Sequence, residues 1–140
     1  MKKLLILALA LPAACGGSSW GTELTRETPQ GTATLYHTDA VAPELAGQVF
    51  DAMVASAYNF ASDLDEQVDR VDGRLLLRLC NDNEDSINDM IADPAGSGLL
   101  SYFNGLAYQV SQAIGGEELD ISLCRLSLDD EFYLVTWEAP

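Results

Sequence analysis

The side chains with chemistry to offer are three cysteines, one histidine and 22 acidic residues. Cys80 closes the stretch Arg74-Leu-Leu-Leu-Arg-Leu-Cys80, and Cys124 lies in Leu119-Asp-Ile-Ser-Leu-Cys124. Read as strands, both stretches place leucine or isoleucine at alternate positions and the cysteine on the opposite side. The two thiols then share one sheet face, and in an oxidising compartment a Cys80–Cys124 disulfide is the expectation; the alternative is two half-buried free thiols. His37, the sole histidine, stands near Asp39, with no spacing that would pair it with a cysteine or serine nucleophile or build a zinc site. It reads as a surface or internally satisfied residue. Two acidic runs remain, Asp63 to Asp72 and Asp82 to Asp89. In the second, Asp82, Glu84, Ser86 and Asp93 have odd-step spacings similar to a calcium loop. Ile87 occupies the place that needs glycine, and Asp93 the place that needs glutamate. The expectation is solvated loops, with Asp82, Glu84 and Asp93 as weak calcium candidates and no dedicated metal. No cofactor is expected, because there is no glycine-rich phosphate loop and no nucleophile elbow.

Cys15 belongs to a different context. Lys2 and Lys3 precede an apolar run, Leu4 to Leu11, then the small residues Pro12-Ala-Ala14, then Cys15-Gly-Gly-Ser-Ser. The run is a secretory leader pattern, too short to span a bilayer core of about 30 Å. Residues 1–19 resemble the lipobox of bacterial lipoproteins, with Pro12 three places before the cysteine and Leu11 one place earlier. The resemblance implies cleavage after residue 14, lipidation of Cys15 and a protein of the cell envelope. Gly16 after the cysteine implies outer-membrane sorting in a two-membraned bacterium. Residues 16–30, aperiodic and poor in apolar groups, read as a flexible tether spanning about 20 Å.

Without Lys2 and Lys3, five arginines face all 22 acids, a formal charge two units more negative than the −15 of the whole chain. That balance excludes nucleic acid as a partner and excludes attachment to anionic headgroups through a basic patch. A cationic protein is the partner class it favours.

The elements that would carry these residues follow from periodicity. Residues 97–114 repeat apolar groups at Leu99, Phe103, Leu106, Val110 and Ile114, a helical stripe, with Ser97 as N-cap and Gly115-Gly116 as the stop. A second helix starts at Pro43-Glu44 and runs through Leu45, Val49, Met53, Ala57 and Phe60. Strands are predicted at 32–37, 67–71, 74–80, 119–126 and 132–137, with Asp72-Gly73 as a hairpin turn. Residues 81–93 are polar, with a helical turn or two around 86–91. The resulting order is β-α-β-β-α-β-β over a single domain, residues 31–140. It predicts a two-layer α+β sandwich of about five mostly antiparallel strands and two main helices, in ferredoxin-like split-βαβ order with a C-terminal hairpin strand. Leu77, Leu79, Ile121 and Leu123 should be buried against Phe103, Leu106 and Val110. In that strand order the first strand would separate the two cysteines by two spacings of about 4.8 Å, beyond the Cα reach of a disulfide.

The order also looks like that of a family of small bacterial proteins of unknown function, through Leu35-Tyr36-His37-Thr38 before the first helix and Leu123-Cys124 late in the chain. That resemblance implies the fold and no activity. The functional expectation is a lipid-anchored, non-enzymatic binding or assembly module of the envelope. The alternative is an acidic protector that inhibits a basic toxin or enzyme; an uncharacterised enzyme is the third class.

Overall fold

The structure, a computed structural model, describes residues 20–60 and 64–138; the leader and Cys15 lie outside them. The threonine-rich stretches Thr22–Thr28 (β1) and Gly31–His37 (β2) form an antiparallel hairpin in which Thr28 pairs with Gly31. Helix α1, Pro43–Ala55, begins with proline at its first turn and buries Ala46, Val49, Phe50 and Met53 at helical spacing. Strands β3, Glu66–Val71, and β4, Arg74–Cys80, are joined by Asp72-Gly73. Both turn residues have positive φ, 53° and 82°, the requirement of a type I′ hairpin. Helix α2, Glu84–Ala92, is capped by Asn83, whose side chain accepts from the Ser86 N–H at 3.0 Å. Helix α3, Leu99–Ala113, is followed by Gly115 and Gly116, and the Gly116 N–H closes its end on the Ser111 carbonyl at 2.7 Å. Strands β5, Leu119–Cys124, and β6, Glu131–Val135, complete the chain.

The six strands form one mixed sheet in the order β1-β2-β3-β4-β5-β6. Hairpin pairs β1–β2, β3–β4 and β5–β6 are antiparallel; β2–β3 and β4–β5 are parallel, because the helices between them carry the chain back to the same end. This corrects the expected architecture on three counts. There are six strands rather than about five, three helices rather than two, and the strand order follows the chain instead of the ferredoxin-like split order. The physical difference lies in the crossovers: each delivers the chain to the strand immediately beside the one it left. The stretch read as a tether, 16–30, supplies β1.

Parity assigns the faces. Val68, Leu77 and Ile121 are register partners and lie on the side covered by α1 and α3. There Leu35, Val68, Leu77, Leu79, Ile121 and Leu123 are buried in one core with Phe50, Met53, Phe103, Leu106 and Val110. The other face carries Gln67, Asp69, Arg74, Arg78, Cys80, Ser122 and Cys124.

One position fastens the N-terminal edge. Gly21 has φ +115°, and a Cβ there would sit 2.2 Å from the His37 carbonyl oxygen. Both a left-handed backbone and a backbone clash oppose a side chain. Gly21→Ala is expected to destabilise the domain by more than about 1 kcal/mol, read as a lowered urea midpoint with an unchanged slope. An unaltered midpoint would refute this close approach.

Candidate functional site at the carboxyl ends of β4 and β5

Parallel strands in sheets backed by helices present their carboxyl ends to ligands, and in this fold β4 and β5 do so side by side. Cys80 and Cys124 end the two strands and are direct register partners. The predicted separation by an intervening strand is therefore corrected: one strand spacing, about 4.8 Å, divides their backbones. Both thiols are reduced and buried, packed with Leu128, Trp20 and Leu64. The Cys124 Sγ lies 3.5 Å from the Leu128 carbonyl and 3.5 Å from the Ser122 hydroxyl. Burial, the neighbouring Cys124 thiol and the Glu66 and Asp65 carboxyls push the Cys80 thiol up to about 12. Burial raises Cys124 as well. Thiolate is the reactive form, so both groups are held inert at neutral pH.

Behind this pair, on the helix side of the sheet, is a carboxyl that periodicity did not single out. Glu66 is 1% exposed and pairs in register with Leu79. Tyr58 donates its hydroxyl to Glu66 Oε2 at 3.2 Å. Burial drives the Glu66 carboxyl well above the usual carboxylate range, against the opposing pull of hydrogen bonds from Tyr58 and the Cys80 N–H. Burial likewise raises the Tyr58 phenol, with the Glu66 charge adding to it. A sequence signal for Glu66 existed: it alternates with Val68, which puts it on the apolar face.

Tyr58, Asn59, Leu64, Asn81, Asp82 and Phe103 line a cavity of about 230 Å³ at this end of the sheet. A smaller one, about 120 Å³, shares Asn81 and Asp82 and reaches Arg125 and Leu126. Leu126 is 70% exposed on the β5–β6 connection.

The open face beside the thiols is a connected polar network. Thr38 donates to Asp69 at 2.6 Å; Arg78 donates to Asp69 at 2.8 Å and to Gln67 at 2.6 Å; Gln67 donates to the Trp20 carbonyl at 2.7 Å. Partial burial raises the Asp69 carboxyl, but bonds from Thr38, Arg78 and the Arg70 N–H outweigh it and hold Asp69 below its ordinary value. Arg74 clamps Asp120 through two bonds, 3.0 and 2.8 Å, and also pairs with Glu118, which keeps Asp120 low. Arg26 pairs with Asp51, Arg70 with Glu117 and Arg125 with Asp130. Each of the five arginines thus faces a carboxylate.

The remaining predicted site residues are scattered. His37 is buried, shares its side of the sheet with Val68, and its Nδ1 lies 3.1 Å from the Thr38 carbonyl; the thiols are on the opposite side. The calcium candidates do not converge. Residues 84–92 of the run are helix α2, so Asp82 and Asp93 flank its two ends, on the order of 13 Å apart. Glu84 favours the helix N-terminus, and Asp93 accepts from the Gly96 N–H at 3.1 Å. Among the described residues no group of three or more metal-ligating side chains comes together. Cys15 lies outside the described residues.

Neither the family models, the curated proteins nor the solved structures compared with the chain match it.

Proposed function

We propose that the chain is a lipid-anchored envelope protein, attached through Cys15, whose domain binds a cationic protein partner without catalysing a reaction. The observation that carries the binding reading is the arrangement of charge. All five arginines of the sequence after the leader are engaged by carboxylates, which leaves the large excess of acid on the surface uncompensated. Five acids, at 82, 84, 85, 89 and 93, lie on and around α2, all exposed. Buried thiols held in the protonated, unreactive form favour binding over catalysis. The acidic protector of the second reading draws on the same charge, with a basic toxin or enzyme as the bound partner.

The anchor rests on the pattern of residues 1–19. Among the described residues no helix is long and apolar enough to cross a membrane. Stable attachment through lipid takes more than one chain, as the diacylglyceryl group of bacterial lipoproteins supplies. Trp20 already packs on the domain, so five residue steps separate it from Cys15, a reach of at most about 17 Å. The domain would sit against its membrane on a short leash.

Intact mass of the purified protein tests the anchor. The expected product begins at Cys15 and carries added acyl mass, and Cys15→Ser loses both the mass and the membrane association. A product beginning at or beyond Gly16 with no acyl group would overturn the anchor. Binding is tested by pull-down from detergent-solubilised envelope. A basic protein released by raised salt is expected, since screening weakens exposed charge pairs; capture that salt does not affect would count against the charge reading.

A further inference from the structure

We propose that Cys80 and Cys124 form an intramolecular disulfide that is made before the sheet closes, by exchange with an external disulfide. The inference does not depend on the anchor or on the partner. The two residues are register partners on adjacent parallel strands, so their side chains emerge on the same side. A spacing of about 4.8 Å falls inside the Cα range of disulfides, about 4.4–6.8 Å. No other cysteine is among the described residues, and no third ligand joins them to make a metal site.

The timing follows from what surrounds them. In the exchange, the thiolate of one cysteine attacks the external disulfide, forms a mixed disulfide and expels one external thiolate. The second cysteine then attacks the protein-side sulfur and expels the other. Two protein thiols are oxidised, the external disulfide is reduced to two thiols, and the two protons released by the cysteines end on them or in solvent. The first step needs a thiolate and room for the mixed disulfide. The folded domain offers neither: Cys80 is 6% and Cys124 0% exposed, and Trp20, Leu64 and Leu128 pack on them. A Cys80 thiol raised from 9.0 to about 12 loses thiolate about a thousandfold. Higher intrinsic nucleophilicity recovers only part of this, leaving exchange about fiftyfold slower before steric shielding is added.

The experiment uses the 140-residue chain carrying Cys15→Ser, so that two thiols remain, purified reduced. One sample is unfolded in guanidinium, exposed to oxidised glutathione and then refolded; the other is folded first and given the same oxidant for the same time. Alkylation and intact mass count thiols, and far-UV circular dichroism reports folding. The expected result is loss of two hydrogens and of both thiols in the first sample, a refolded spectrum matching the reduced protein, and oxidation at least about fiftyfold slower in the second. With Cys80→Ser or Cys124→Ser added, the unfolded chain should stop at the glutathione adduct. Three results would each overturn the proposal: persistent thiols or only intermolecular bonds in the first sample, equal oxidation rates in the two, or an oxidised product that cannot regain the native spectrum.

Discussion

Leu77→Ala is expected to lower the unfolding free energy by about 2–5 kcal/mol. Leu77 is fully buried on β4, with Val68 of β3 and Ile121 of β5 as its register partners on either side. Those neighbours are fixed by ladders on both edges, so the void left by the lost methyl groups cannot be filled by movement of one strand. The same change at Leu134, 46% exposed on β6, should cost only a few tenths of a kcal/mol. Urea melts of the two variants make the comparison. Equal losses at both sites would refute the burial of Leu77 and the exposure of Leu134.

The second large effect concerns pH. Glu66 binds its proton more tightly in the folded domain than in the unfolded chain, where its pKa is about 4.3. Its contribution to stability is therefore complete below that pH and is lost as pH rises toward the elevated folded value. The slope is up to about 1.4 kcal/mol per pH unit for this one proton. Asp69 and Asp120, held low, act in the opposite sense: their contribution is present above about pH 3.9, the unfolded value, and is lost as pH falls below it. Glu66→Gln keeps an oxygen for the Tyr58 hydroxyl and removes the titration. Stability of the wild type should fall as pH rises above the unfolded value of about 4.3, while the variant stays flat over the same rise and is the more stable of the two once Glu66 has to ionise. Parallel pH profiles would show that Glu66 is not the titrating group.

The two main helices were legible because their apolar residues recur every three or four positions. Pro43 and Gly115-Gly116 mark one end of each in the sequence. The strands at 74–80 and 119–124 were legible for the analogous reason at period two. β1 was not, since Thr22–Thr28 has a single apolar residue, Leu24, and lies at the sheet edge. An edge strand buries little and so leaves almost no hydrophobic pattern. The run 81–93 reads as polar with only a helical turn or two around 86–91, because α2 turns only Ile87 and Met90 inward. Strand order was illegible on physical grounds. Periodicity records which side of an element is buried, not which element lies beside it. The disulfide argument shows the cost: the alternation of Leu79-Cys80 and Leu123-Cys124 placed both thiols on one face, while an assumed intervening strand moved them apart. The Tyr58–Glu66 pair depended on where β3 starts, and a start at Gln67 left Glu66 outside it.

Strand order equal to chain order also governs how the domain assembles. Every ladder joins segments that are consecutive in the sequence, so no closure has to span a strand that is still absent. In a split order the first strand waits for partners formed much later, and long loops must be closed before any pairing compensates their entropy. Here β2 docks on β3 across one helix, and β4 on β5 across two. Low contact order of this kind favours rapid folding. It also lets a chain that emerges amino end first add one hairpin at a time to a growing edge. In that sequence of events Cys80 is placed in the sheet early and stays at its open edge until β5 arrives with Cys124.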